Sequence, residues 1–258
     1  MALNDIQRID RNFLLHATRI PELTAGMQVF DDSHLSYADS SLSCDTFNII
    51  HITGPELEAT TFKAAVQHFR ARDMAYCIWV NDENESERVR QYFSDLGIQA
   101  QGQEIGMTLD LPNYEPIAAI KHQHIVQVSN PQQLRDYASV IAENWTPPDV
   151  NVLRYYELTA SHYLNDAHGV ILLVYYQHGK PVATVELFPS DRETIGVYGL
   201  ATLEDTRGQG IGSALMTYAL NVARQSGYKK VVLQASEDGM GIYQRLGFRA
   251  QTKYLEYS

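Results

Sequence analysis

Arg207-Gly208-Gln209-Gly210-Ile211-Gly212 is the stretch whose residue types and spacing point most directly to chemistry. Its three glycines let backbone amides approach a ligand closely. After them Leu215, Tyr218, Ala219, Val222 and Ala223 recur at helical spacing, and Gly227 closes the run as a C-terminal cap would. A helix starting here aims its unpaired N–H groups and positive dipole end at the same place, so the expected guest is an anion. Residues 194–201 ahead of the glycines have the β-branched and aromatic content of a strand.

Two phosphate loops with that outline fail on the letters. A Walker loop ends in Lys followed by Ser or Thr, whereas this one runs Gly210-Ile211-Gly212-Ser213-Ala214. A dinucleotide fingerprint needs glycine where Ser213 stands and an acidic residue at the end of the next strand. That strand ends in Gln234-Ala235-Ser236, with Glu237 alone behind it.

A third pattern fits. Arg207-x-x-Gly210-x-Gly212 resembles the Q/R-x-x-G-x-G/A signature of the GNAT acetyltransferases, and Tyr243-Gln244-Arg245-Leu246-Gly247-Phe248 resembles the Y-x-x-L-G-F ending of that family's last helix. The resemblance implies a mixed α/β GNAT acyl-CoA N-acyltransferase fold over the second half, with a central sheet flanked by helices. It implies acetyl-CoA as co-substrate, no metal, and pyrophosphate held by Arg207, Gly208, Gln209, Gly210, Ile211, Gly212 and Ser213. Leu200, Ala201 and Thr202 would offer strand backbone to the pantetheine arm. Ser236 stands where many members have asparagine, leaving a shorter polar group for the same arm. The implied activity is acetyl transfer to a primary amine of a small molecule or peptide, by direct attack in a ternary complex. Two other outcomes use the same loop: a non-catalytic acyl-CoA-binding regulatory module, or transfer to oxygen or of a longer acyl chain.

Acetyl transfer to an amine needs a neutral amine, a stabilised oxyanion and a proton for the departing thiolate. A lysine-type amine of pKa near 10.4 is neutral only about once in 10³ molecules at pH 7, a penalty of roughly 4–5 kcal/mol. Glu186 is the candidate base, because it interrupts the apolar run 182–188 beside the strand that would carry the cofactor. Strand alternation puts Thr184, Glu186 and Phe188 on one face and Val185 and Leu187 on the other, without deciding which faces a cleft. By the resemblance, Tyr243 would lie near the thioester sulfur as the proton donor. The acceptor site would be shaped by Trp145-Thr146-Pro147-Pro148-Asp149 together with Tyr155 and Tyr156.

Composition bounds the rest. The 258 residues, 45% hydrophobic and 20% charged, describe a folded soluble chain with room for two modest domains. No apolar run approaches the roughly 20 residues that span a bilayer, and the N-terminus lacks the apolar core of a secretory signal, so a cytoplasmic location is expected. The net charge of −11 argues against a nucleic-acid surface and favours a cationic acceptor such as a polyamine, an aminoglycoside or a lysine-bearing protein. Coenzyme A is itself polyanionic and would have to rely on local donors. Cys44 and Cys77 have no metal or redox spacing, and His122-Gln123-His124 lacks a third ligand, so no metal is assigned.

Along the chain, the expected strands and helices after residue 123 follow GNAT order to a last strand at 252–257. In the first half a strand at 47–52, a helix at 56–72, a strand at 75–80, a helix at 86–96 and a strand at 106–111 repeat the order of the C-terminal half. Phe93-Ser94-Asp95-Leu96-Gly97-Ile98 echoes residues 243–248. The expectation is a degenerate GNAT-like domain over 1–116 and a catalytic GNAT domain over 117–258, joined by a proline-stiffened linker at 111–116. In place of the glycine loop the first half has Thr53-Gly54-Pro55-Glu56-Leu57, where proline supplies no amide and Glu56 repels a pyrophosphate. That half should cover, complete or dimerise the active one, so a homodimer is among the expected partners.

Overall fold

The computed structural model describes residues 3–115 and 122–258. Two compact units emerge. The first is Met1–Met107 with Gln234–Met240 and Ala250–Ser258, and the second is Thr108–Leu233 with Gly241–Arg249. The expected division at 116/117 lies outside the described residues.

The first half of the chain forms α1 (Asp5–Leu23), β1 (Gln28–Asp31), β2 (Leu35–Asp39), β3 (Ile49–Ile52), α2 (Ala59–Arg70), β4 (Cys77–Asn81), α3 (Glu87–Leu96) and β5 (Ala100–Asp110). The second half forms β6 (Ile125–Gln127), α4 (Pro131–Ala142), α5 (Val150–Leu158), α6 (Ala160–Tyr163), β7 (Ile171–Gln177), β8 (Lys180–Pro189), β9 (Thr194–Thr202), α7 (Ile211–Gln225), β10 (Lys230–Ala235), α8 (Glu237–Arg245) and β11 (Arg249–Tyr257).

Strand order in the first unit is β1-β2-β3-β4-β11-β5, with β3 and β4 parallel and β11 antiparallel to β4. Alternation sorts the side chains of its strands. Ile50 and Ile52 face a core with Phe62, Val66 and Phe69 of α2 and Val89 and Phe93 of α3. His51, between them, faces Phe13 of α1, the ring centroids 4.9 Å apart. Helix α1 had no counterpart in the sequence reading, because Asp5, Arg8, Asp10 and Arg11 mask its start. Its capping box is nonetheless complete: Gln7 N donates to Asn4 Oδ1 at 2.8 Å, and Asn4 N to Gln7 Oε1 at 3.1 Å. Its buried Ile9, Phe13 and Ile20 form one stripe.

The second unit orders its strands β6-β7-β8-β9-β10, antiparallel except for the parallel pair β9/β10. Strand β8 is buried on both faces from Val182 to Phe188, with α4 and α7 both packed on it. The expected hairpin between β7 and β8 turns on His178 and Gly179, at φ 52° and 78°.

The internal echo has a physical basis in hydrogen bonds. Gly97 N donates to Ser94 O and Ile98 N to Phe93 O; Gly247 N donates to Gln244 O and Phe248 N to Tyr243 O. Both are Schellman endings, with an apolar contact from the residue after the glycine back to the aromatic one. Helices α2 and α7 end the same way, at Asp73-Met74 and Gly227-Tyr228. The Leu-Gly-Phe letters therefore report how a helix stops. The stronger mark of repetition is that β3-α2-β4 and β9-α7-β10 are both parallel pairs joined through a helix.

Three local expectations change. Residues 111–115 are fastened rather than a free linker: Leu111 N donates to Lys229 O at 2.9 Å, and Leu111 and Tyr114 are buried. Residues 250–258, expected with the catalytic domain, pack in the first unit beside β4. The helix expected at 56–72 starts at Ala59, with Pro55 and Glu56 in the turn before it. Both cysteines are buried and neither is in a disulfide. Among the described residues no helix is long and apolar enough to cross a membrane, and no group of three or more His, Cys, Asp or Glu is placed to hold a metal.

The first unit also contains a buried charge with a testable cost. Asp39 is 0% exposed and accepts from Ser41 N at 2.8 Å, His68 Nε2 at 2.8 Å and Arg72 Nη2 at 2.7 Å. Burial pushes its carboxyl up, but the Ser41 amide, Arg72 and His68 outweigh that and hold it below its ordinary value. A depressed carboxyl stabilises the fold above its unfolded pKa and loses that contribution as pH falls through the folded one. Asp39→Asn should cost about 2–4 kcal/mol at pH 7, less than a fully buried pair because Arg72 stays partly in water. Urea melts at pH 7 and pH 3 check this: the variant's deficit should shrink at the lower pH.

Candidate active site

The site begins with a register slip. Thr184 pairs with Ala201, but Glu186 pairs with Tyr198, so β9 carries one residue more than β8 across this step. This is a β-bulge, which leaves a β9 residue outside the ladder and bends the strand. Gly199 takes φ +54° there, and Thr184 Oγ1 donates to its carbonyl at 2.9 Å. A Cβ on Gly199 would stand 2.6 Å from Tyr137 Oη. The glycine is thus required both by its backbone and by the phenol beside it.

Glu186 is 2% exposed. Its charge is felt by Tyr137 of α4, Tyr156 of α5, Tyr163 of α6 and Tyr198 of β9, and all four phenols are raised well above their ordinary value, first by burial. Rings of Tyr137 and Tyr156 lie 5.3 Å apart, and those of Tyr156 and Tyr163 5.2 Å. The alternation that left the orientation of Glu186 open is resolved: its face is the one covered by the tyrosines. Tyr155 and Tyr156, expected to shape an acceptor wall, are 3% and 5% exposed and belong to this core. Tyr137, Tyr163 and Tyr198 were missed. The 16 tyrosines of the chain were the available signal, but only folding brings these few together. Trp145, by contrast, is 38% exposed.

At the other end of β9 the glycine loop opens to solvent. Gly208 and Gly210 adopt φ +75° and +78°, and a Cβ on either would meet nothing within 4 Å. Gly210 is the N-cap of α7 and brings no side chain to its first-turn amides. Those amides, on Ile211, Gly212 and Ser213, have no carbonyl partner within the helix. A helix start left uncapped and exposed, over two left-handed glycines, has the geometry that suits an anion. Arg207 Nε donates to Thr202 O at 2.9 Å, tying the loop to the end of β9, and Gln209 meets Gln177 at 3.1 Å. Leu200 is half-buried and Ala201 buried on the strand itself.

The second half of α8 reaches the same place. A Cβ on Gly212 would lie 3.3 Å from Thr202 Oγ1 and 3.7 Å from Ile242 Cδ1, so the loop, the end of β9 and α8 meet at this glycine. Tyr243 follows Ile242 and is 7% exposed, its ring 5.7 Å from Phe248 in an edge-on contact. The Schellman ending thereby fixes Tyr243. Ser236 has a structural task, its Oγ and carbonyl both accepting from Gly239 N at the start of α8.

The start of α2 in the first unit differs in its residues. Leu57 is buried, Glu58 is the N-cap, again without a side-chain bond, and Glu56 is exposed just ahead. Two carboxylates therefore stand at this helix start where α7 has glycines, and they oppose an anion.

Residues 133–248 match the model of the Acetyltransferase (GNAT) family. The match takes in a little under half of the chain. The chain is similar to human N-acetyltransferase 8B, 40% identical over 78 residues, covering 27% of this chain and 34% of that protein. It is also similar to glucosamine 6-phosphate N-acetyltransferase of Trypanosoma brucei brucei, 30% identical over 95 residues, covering 34% of this chain and 65% of that protein. The chain thus spans from about a third to just under two thirds of these relatives. The fold is similar to that of a GCN5-related N-acetyltransferase from Kribbella flavida, with TM-score 0.69 at 16% identity, covering 97% of this chain and 93% of that one. A tandem GNAT protein from the clavulanic acid biosynthesis pathway covers all of this chain, with TM-score 0.56 at 11% identity and 96% of its own length.

Proposed function

We propose that the chain is an acetyl-CoA-dependent N-acetyltransferase whose catalytic domain is 117–258, with 1–116 a degenerate companion that binds no cofactor of its own. The observation that carries this reading is the uncapped, solvent-open start of α7 above Gly208 and Gly210, within a segment that matches the GNAT family model. Arg207 to Ser213 would hold the pyrophosphate, and Leu200 to Thr202 the pantetheine arm. Acetyl-CoA supplies an activated thioester. The chain's own residues handle protons: Glu186 takes one from the acceptor's ammonium, and Tyr243 gives one up where thiolate charge develops. The acceptor is a primary amine; amino sugars, suggested by the name of the trypanosomal relative, join polyamines, aminoglycosides and N-terminal peptides as acceptors to try.

The test is thiol release from acetyl-CoA over that panel, with thermal melts in coenzyme A. An upward melt shift and release with at least one amine class are expected; no shift would sink the assignment. Tyr243→Phe should lower turnover about 10²-fold while the coenzyme A shift persists. An unchanged rate would remove Tyr243 from the mechanism.

A further inference from the structure

The proposed base has a delivery problem. At 2% exposure, Glu186 is out of direct reach of an amine in open solvent. The titratable groups facing it are Tyr137 on α4, Tyr156 on α5 with Tyr155 beside it, Tyr163 on α6, and Tyr198 on β9. On the other neighbouring strand, β7, the residue paired with Glu186 is Leu172. Tyr137, Tyr156 and Tyr163 are 0%, 5% and 8% exposed. Tyr198 alone of the four keeps an intermediate share of its surface in solvent, beside the exposed bulge residue Gly199.

Tyr198 is also the residue paired with Glu186 across the β8/β9 ladder. Directly opposed residues on antiparallel strands share a face with Cβ atoms about 4.5–5.5 Å apart, a span that a phenol and a carboxylate can bridge. We propose that Tyr198 is the proton's way in to Glu186. Its phenolic oxygen accepts a proton from the acceptor's ammonium as its own proton passes to the Glu186 carboxylate. The products are a neutral amine, an intact phenol and a protonated Glu186, so charge and protons balance without a free tyrosinate. Burial and the Glu186 charge both raise this phenol, which suits a group that hands on a proton without resting in the ionised form. The proposal rests on Glu186 being the base, and it gives Tyr198 a role distinct from that of Tyr243.

The experiment compares Tyr198→Phe, Glu186→Gln and the unaltered protein, with acetyl-CoA and ethylamine as the probe pair. In Tyr198→Phe, kcat should fall about 10-fold to 100-fold at pH 7 with KM for acetyl-CoA unchanged, and the deficit should close as pH rises toward the amine's own pKa. A structural role alone would not tie the deficit to pH. A second measurement needs no acceptor: the carboxyl stretch of Glu186, isolated as the infrared difference against Glu186→Gln, should move in Tyr198→Phe. Wild-type rate and pH profile in Tyr198→Phe, beside an impaired Glu186→Gln, would overturn the relay and leave the base standing. Full activity in Glu186→Gln would overturn both, and an unmoved infrared band would remove the contact the relay requires.

Discussion

Glu186→Gln should lower kcat/KM about 10²-fold to 10⁴-fold at pH 7 while leaving coenzyme A binding intact. The size follows from what the carboxylate is asked to do. An unperturbed amine costs roughly 4–5 kcal/mol to deprotonate at pH 7, and each tenfold in rate is about 1.4 kcal/mol, so a base that offsets most of that penalty is worth up to three or four decades. The pH dependence has a definite sign. The free amine becomes about tenfold more abundant with each pH unit below its pKa, so the variant should gain on the wild type from pH 7 to pH 10. Rates with a saturating amine across that range, and melts with coenzyme A at pH 7, check the two halves. A deficit constant across the range would mean that Glu186 organises the tyrosine core and takes no proton. Gln keeps the shape and the hydrogen-bonding capacity of the buried side chain, so gross unfolding is not expected to confuse the result.

The glycine loop was legible because it is local. Glycines at fixed spacing, a strand before and a helix after occur within one stretch of chain, and Gly208 and Gly210 take the left-handed conformations that such letters imply. The endings at Leu96-Gly97-Ile98 and Leu246-Gly247-Phe248 were legible for the same reason, since a Schellman motif is made by neighbouring residues. Three other features were not. Helix α1 opens with charges that hide its buried stripe. Strand β11 finds its antiparallel partner in β4, more than 170 residues away, a pairing that no local pattern encodes. The environment of Glu186 depends on a one-residue slip in β9 that pairs Tyr198 with Glu186 and brings Gly199 to Tyr137. Alternation alone could list the face of β8, but the slip belongs to the pair of strands.

The acidity of the chain also gains a location. Net charge of −11 would oppose a polyanionic ligand if spread evenly. Glu204 and Asp205 are exposed just ahead of the loop, so the charge is present even there. On the proposed function, coenzyme A binding would come from short-range donors: the α7 amides, the helix dipole and Arg207, whose Nε donates to Thr202 O. Added salt should weaken coenzyme A binding less than it would weaken a site built on a diffuse basic surface.

Gly199→Ala should be the most disruptive single methyl in the second unit, and a double-mutant cycle can divide its cost into causes. At φ +54° an alanine carries a backbone penalty of about 1 kcal/mol whatever surrounds it. The second part is steric: its Cβ would stand 2.6 Å from Tyr137 Oη, on a ring 0% exposed and packed against Tyr156. Overpacking of this kind costs about 1–3 kcal/mol, giving a total of about 2–4 kcal/mol and a fall in Tm of roughly 5–15 °C. Tyr137→Phe deletes the clashing oxygen, and the atom then nearest along that ring, Cζ, lies at 3.7 Å, an ordinary contact. Ile141 Cδ1, 3.2 Å from the same Cβ, still has to give way. The double variant Gly199→Ala/Tyr137→Phe should therefore recover most of the steric part and keep the backbone part, a coupling of about 1–2 kcal/mol between residues 62 positions apart. Additive costs would show that the bulge does not rest on the Tyr137 hydroxyl. Coupled costs, with turnover falling in Gly199→Ala and returning in the double variant, would show that the same contact that holds the bulge also sets the reacting geometry around Glu186.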